Sequence, residues 1–193
     1  MEKYSTFWPR FLAGFVDGLV LSPISLLDGY LTSPVRSVPV LVCWAIFSYS
    51  AYSIYSVTMH ARYGQTVGKM AAKVRVLNVN EDRLPTVRQA ILRDIGTIYC
   101  AALGLGYTLY QIATHSYTAK AGFSHTFLIV VGTINIGWFL LEFATMVTNE
   151  KRRAFHDLLA GTVVVREGYY ALESGLRLRS SMGTSSEPPN ALG

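Results

Sequence analysis

The chain has 193 residues, of which 51% are hydrophobic and only 15% charged, with a net charge of +5. A soluble domain carries about 25% charged residues, so this composition argues against a soluble globular protein and excludes disorder or collagen as the main state. Two cysteines are too few for a disulfide-stapled secreted scaffold. The basic balance would also suit a nucleic-acid binder, but here it follows membrane topology, and no nucleic-acid partner is expected.

Crossing a hydrocarbon core of about 30 Å takes roughly 20 mainly apolar residues in a helix. The first such run is Phe7 to Leu31, which carries Arg10, Asp17, Pro23 and Asp28. Asp17 interrupts it and no small-residue cleavage site follows, so it reads as an anchor rather than a secretory signal. The second run, Val38 to Ala61, contains no Asp, Glu, Lys or Arg. A charged loop over 62–89 follows.

Within that loop, Gly64-Gln65-Thr66-Val67-Gly68-Lys69 has the look of a phosphate loop. The Walker pattern requires Gly and Ser or Thr where this chain has Tyr63 and Met70, so neither ATP nor any other cofactor is expected. The glycines instead suit a tight turn and a short interfacial helix. Lys73 to Val79 alternates polar and apolar, which predicts a strand, and Asn80 to Pro85 supplies turn residues.

A third run, Ala90 to Ala113, opens with Arg93 and Asp94, and a fourth, Phe123 to Val147, contains Glu142 as its one charge. Asn149 to Leu159 predicts a short helix ended by Gly161, on which Arg153 and Asp157, four apart, share a face. Thr162 to Val165 is β-branched and is expected to pair with the earlier strand. From Ser174 the chain is rich in Ser, Gly and Pro and reads as a disordered tail over 174–193. The expected fold is therefore an all-α integral membrane domain over 7–166, a four-helix transmembrane bundle with a small cytoplasmic β-ribbon.

Charge placement tests this topology independently, because Lys and Arg gather in short cytoplasmic loops. With four spans and the N-terminus inside, Arg36 and Lys120 are the only ones of the 17 basic residues that fall outside. Both termini are thus expected in the cytoplasm and the protein in the cytoplasmic membrane. Cys43 and Cys100 lie within spans and read as packing residues. His60, His115, His125 and His156 lack metal-ligand spacing, so no metal site is expected.

A carboxylate near the bilayer centre costs about 2.5 to 3.5 kcal/mol on insertion scales and normally faces protein or water. Asp17 lies about 15 Å into the first span, and its partner is expected from another helix, since Arg10 can reach the headgroups instead. Asn135, Glu142 and Asn149 recur every seven residues on the fourth span. Tyr49, Tyr52 or Ser53, Ser56 and His60 form a stripe on the second, while Gly96, Cys100 and Gly104 on the third suit close helix packing. Two readings follow. Asp17 and Glu142 either pair with Arg10 and Arg93 to fix helix register, or act as carboxylates that exchange a proton for a cation.

Trp8-Pro9-Arg10-Phe11-Leu12-Ala13-Gly14-Phe15-Val16-Asp17, the Gly64 to Lys69 segment, Leu92-Arg93-Asp94 and the stretch from Arg153 to Thr162 recur together in this order. In this the chain resembles the RDD family of multispanning membrane proteins, named for an Arg and two Asp residues. The resemblance maps the family's motif charges onto Arg10, Asp17, Arg93, Asp94, Arg153 and Asp157. It implies a bacterial cytoplasmic membrane location. One member is described as a sodium/proton-type antiporter, and some eukaryotic relatives look like assembly factors.

The expectation is accordingly cation/proton antiport, with a monovalent cation and proton carried at Asp17, assisted by Glu142 and Asn135. Four helices make a thin wall for a transport path, which predicts a homo-oligomer. The alternative is a membrane scaffold or assembly factor that recruits a membrane-protein partner through its basic cytoplasmic face. An enzyme is not expected, because no nucleophile, base and orienting group fall together.

Overall fold

Pro23 removes the amide that would bond the Leu19 carbonyl one turn back, yet the first helix, α1 (Phe7–Leu31), continues through it. The Ser22 hydroxyl donates to that same Leu19 oxygen at 2.8 Å, the kind of repair that lets proline sit inside a membrane-length helix. The computed structural model describes residues 3–31, 37–114, 124–170 and 172. Arg36, Lys120, His115 and the tail over 174–193 lie outside the described residues.

Pro39 stands at the second position of α2 (Val38–Tyr63), where its missing amide is harmless, and Gly64 closes that helix in the left-handed conformation at φ 68°. Thr66 caps a five-residue helix, α3 (Val67–Ala71). Strand β1 (Val74–Asn78) pairs antiparallel with β2 (Thr162–Arg166), Val76 opposite Val164. The expected ribbon therefore forms. Val74, Val76 and Val164 are buried on one face, and Leu77, Val163 and Val165 on the other.

The third apolar run does not fold as one helix. Thr86 and Gln89 form a reciprocal capping box that starts a helix at α4 (Val87–Arg93), and Asp94, at φ −92° and ψ 9°, separates it from α5 (Ile95–Ala113). Arg93 and Asp94 thus lie at the junction of two helices, with the Asp94 amide still bonded to the Ala90 carbonyl at 3.1 Å. The remaining elements are α6 (His125–Thr148) and α7 (Phe155–Ala160). The expected helix from Asn149 is shorter because Arg152 takes a left-handed turn at φ 46° before α7 begins.

Among the described residues, three helices, α1 over Phe7–Asp28, α2 and α6, are long and apolar enough to cross a membrane. They account for three of the four expected spans. The other, α5, has 19 residues, but Tyr99, Tyr107, Tyr110, Gln111 and three glycines dilute its apolar content. It lies along α2, where a Cβ at Gly104 would strike the Tyr49 ring and the Tyr49 hydroxyl meets Thr108 at 3.1 Å. Large apolar side chains such as Phe15, Leu26, Ile136 and Phe139 stand exposed on α1 and α6, a surface suited to lipid rather than water.

Glu81 ties the ribbon end together. It accepts from Lys3 at 2.6 Å, Lys151 at 2.9 Å and Tyr4 at 2.7 Å. Burial raises its pKa, but the bonds from Lys3, Lys151 and Tyr4 outweigh that and lower it from 4.5 to about 2. A carboxylate lowered on folding stabilises the folded state above its ordinary pKa, and this is lost as pH falls from 4.5 towards about 2. Glu81→Gln is expected to lower stability near neutrality by about 1 kcal/mol after solvent screening. Thermal unfolding of wild type and variant should converge as the pH is taken down to about 2.

Candidate functional site

Asp157 lies in the first turn of α7 and is fully buried. Its Oδ2 accepts from Arg10 Nη1 at 2.6 Å and from the Ala154 amide at 3.1 Å. Its Oδ1 accepts from Arg93 Nη1 at 2.5 Å and from the Thr162 hydroxyl at 3.3 Å. One carboxylate thus joins α1, α4 and the ribbon. Burial alone would raise its pKa, but Arg10 and Arg93, and then His156, hold it far below the usual carboxylate range.

Arg153 does not pair with that carboxylate across a helix face. It precedes α7 and donates instead to the carbonyls of Thr162 at 2.8 Å and Asp157 at 3.0 Å. Asp157's oxygens are already filled by two arginines from distant segments.

Asp17 is also buried, and its partners are neutral. Oδ1 accepts from the Tyr55 hydroxyl and the Gly68 amide, both at 2.8 Å, and Oδ2 accepts from the Thr66 hydroxyl at 2.6 Å. Two of these donors come from the glycine segment, which folds back against α1. A Cβ at Gly68 would overlap the Ala13 carbonyl and press on the Asp17 carboxyl, so only glycine permits this approach. The expected partner from another helix is present as Tyr55, while Arg10 and Arg93 go to Asp157.

Glu142 accepts from Trp138 Nε1 at 2.7 Å and meets His156 Nδ1 at 2.5 Å. His156 Nε2 lies 3.5 Å from Asp157 Oδ1, so the imidazole links the two carboxylates. Asn135 stands apart. Its amide donates to the Val131 carbonyl of its own helix at 2.8 Å.

Arg10, Asp17, His60, Lys69, Arg93, Asp94, Glu142 and His156 all line one cavity of about 370 Å³, walled by α1, α2, α3, the α4–α5 junction, α6 and α7. Among the described residues, four buried side-chain polar atoms have no hydrogen-bond partner. Arg10 Nη2, His60 Nε2 and Asp94 Oδ2, three of those four, belong to residues lining this cavity. His60 Nδ1 lies 2.8 Å from the Ser56 carbonyl, which only accepts. That contact assigns the proton to Nδ1 and leaves Nε2 as an acceptor in the neutral ring.

Lys69 joins this group from α3. Burial and the nearby Arg93 lower its pKa from 10.5 to about 7, against the opposing pull of Asp17 and Asp94. Neither Lys69 nor the His156 bridge was singled out by sequence reasoning. For Lys69 the readable signal was the glycine spacing of Gly64 to Lys69, which marks a close backbone approach. His156 offered none beyond its neighbour Asp157. No cluster of three metal-ligating side chains occurs among the described residues.

The sequence model of the RDD family matches residues 4–161. The chain belongs to the RDD family. The matched region contains every motif charge from Arg10 to Asp157 and all the walls of the cavity. The chain is also similar to a membrane protein of Bacillus subtilis strain 168 named "Uncharacterized membrane protein YteJ". The two are 28% identical over 138 residues, which cover 64% of this chain and 82% of that relative. No solved structure matches. With three membrane-length apolar helices and this family, the chain is an RDD-family membrane protein.

Proposed function

We propose that this RDD-family protein exchanges a monovalent cation for protons through the charged cavity. Asp94 holds the cation, and Lys69 competes with it for the same negative field. The carrying observation is the cavity itself, in which ionisable residues from six segments converge and three buried polar atoms have no partner among the described residues. Structural ion pairs are ordinarily saturated; Asp157 is, and Asp94 is not. In this reading Asp17 is a positioning residue, because its three donors fix α3 and thereby Lys69. Glu142 and His156 connect the cavity to Asp157, and Asn135 stays outside.

The proposal extends to topology. With α5 as a fourth crossing beside α2, both termini are cytoplasmic and nearly all basic residues fall on that side. Helix α6 exposes apolar residues along most of its length, a face available to a second copy. The test uses purified protein in lipid vesicles with an imposed sodium or potassium gradient and a trapped pH dye. Wild type is expected to move protons against the cation, and Asp94→Asn to fall at least about tenfold, the loss of roughly 1.4 kcal/mol of cation binding. Flux equal to that of empty vesicles for wild type would overturn the reading. A partner protein that copurifies with wild type but not with a charge-reversed Arg152 variant would favour the scaffold instead.

A further inference from the structure

Two of the three unpartnered atoms in the charged cavity are acceptors on deeply buried side chains. His60 and Asp94 are 1% and 9% exposed. Helix α2 packs against α4 and α5, so His60, in the last turn of α2, and Asp94, at the α4–α5 junction, line the same space. Among the described residues neither His60 Nε2 nor Asp94 Oδ2 has a hydrogen-bond partner. Buried acceptors ordinarily have a donor. Elsewhere in the cavity, Asp17 takes three neutral donors, Glu142 takes Trp138 and His156, and Arg10 and Arg93 are paired with Asp157 at 2.6 and 2.5 Å. Asp94 is therefore the carboxylate whose charge an occupant meets. Arg10 Nη2, the third unpartnered atom, is a donor and takes no part in holding a cation.

The two acceptors differ in kind, and the difference selects the occupant. Asp94 Oδ2 attracts any small cation. His60 Nε2 is the bare nitrogen of a neutral ring, as the contact of Nδ1 with the Ser56 carbonyl requires. Hard cations take oxygen ligands, whereas imidazole suits a transition metal or an N–H donor. Without a cluster of three metal-ligating side chains among the described residues, the donor is favoured. Much of the remaining wall is aromatic, from Phe7, Phe11, Tyr52, Trp138, Phe139 and Phe143. A Cβ at Gly96, two residues beyond Asp94, would strike the Trp138 ring, so apolar surface begins next to the carboxylate. Aromatic faces attract cations and hydrocarbon alike. At about 370 Å³ the space has the volume of small organic-ligand sites, and an alkali ion fills little of it.

We propose that the cavity binds a small organic primary ammonium ion, whose N–H groups donate to Asp94 Oδ2 and His60 Nε2 and whose hydrocarbon lies against the aromatic wall. The chain already places such a group there, since the Lys69 ammonium shares the cavity and feels the charge of Asp94. The inference rests on the reading of Asp94 as the seat of the cation and adds the class of cation that fits it best. An alkali ion engages Asp94 alone. A primary ammonium also engages His60 and therefore binds more tightly.

The test is thermal unfolding of the full chain in neutral detergent at about pH 8, where Lys69 is largely neutral and an alkylammonium keeps its proton. Butylammonium, butyltrimethylammonium and sodium chlorides are compared at equal ionic strength, with butan-1-ol as the uncharged control. A ligand that binds the folded state raises the melting temperature with concentration. Butylammonium is expected to give the same rise at a concentration at least about tenfold lower than sodium or butyltrimethylammonium, the worth of one hydrogen bond to a charged donor. Butan-1-ol should give none. His60→Phe should bring butylammonium to the level of sodium, and Asp94→Asn should remove the effect of both. Equal protection by butylammonium and butyltrimethylammonium overturns the proposal without any variant, and so does protection by butan-1-ol. An unchanged butylammonium preference in His60→Phe also overturns it, while sodium protection that depends on Asp94 leaves the exchange reading standing. If neither ion protects in an Asp94-dependent way, the seat itself fails and both readings fall.

Discussion

Asp157→Asn is expected to lower the unfolding free energy by about 3 to 5 kcal/mol, because it leaves two buried guanidinium groups without their counter-ion. Arg10 and Arg93 both point Nη1 at this carboxylate, and an asparagine amide offers one acceptor oxygen where the carboxylate offers two. Its amide nitrogen, a donor, would then face a guanidinium. The expected result is a large fall in melting temperature in detergent, read by loss of monodisperse elution after heating. Arg153→Ala provides the contrast. Its side chain donates to two carbonyls rather than to a carboxylate, and its loss should cost about 1 to 2 kcal/mol. Since folding lowers the pKa of Asp157, its contribution is full above the ordinary carboxylate value of 3.8 and is lost only as pH falls below it. Equal melting shifts for Asp157→Asn and Arg153→Ala would show that the two arginines are not held by this carboxylate.

Much of the scaffold is visible in the residues. Phe7 to Leu31, Val38 to Ala61 and Phe123 to Val147 are long apolar runs, and their helices begin and end within about two residues of the expected limits. The ribbon is legible because Val74, Val76 and Val163 to Val165 combine β-branching with alternation. The break between α4 and α5 was not legible, because it rests on the backbone of Asp94, at φ −92° and ψ 9°, which no hydropathy pattern marks.

The site is less legible, for a physical reason. A single sequence shows local spacing, and local spacing pointed to Arg153 as the partner of Asp157. The partners observed, Arg10 and Arg93, lie 147 and 64 residues away and meet it only through the packing of α1, α4 and α7. Resemblance named these charges; it did not pair them. Asp17 was legible as a buried carboxylate needing partners, but that the glycine segment would supply two of them depends on a close approach to Ala13. Hydropathy does not encode such a contact.

Removing the ammonium of Lys69 is expected to abolish proton movement against the cation around neutrality. With its pKa lowered to about 7, Lys69 is cationic below that pH and competes with the transported ion for Asp94. Above it, the amine is neutral, its proton is gone and the carboxylate field is free. The charges that set this balance are Arg93 first, then Asp17, Asp94 and Arg10, and His60 on α2, Glu142 on α6 and His156 on α7 line the same cavity. Wild-type exchange should therefore rise as pH passes through about 7. Lys69→Gln, with no proton to release, should show no cation-driven proton movement between about pH 6 and 8, whereas Lys69→Arg, charged throughout, should stay at least about tenfold below wild type at pH 8. Stability supplies a readout independent of transport. A base whose pKa falls on folding destabilises the folded state fully below about 7, and this penalty fades as pH rises towards 10.5. Wild type should thus gain stability with increasing pH over that window. Lys69→Met should lack the gain and be more stable by about 1 kcal/mol at pH 6, as when a buried charge gives way to an apolar side chain. If Lys69→Met keeps the wild-type slope of melting temperature against pH, another group carries the titration, and the coupling assigned to Lys69 fails.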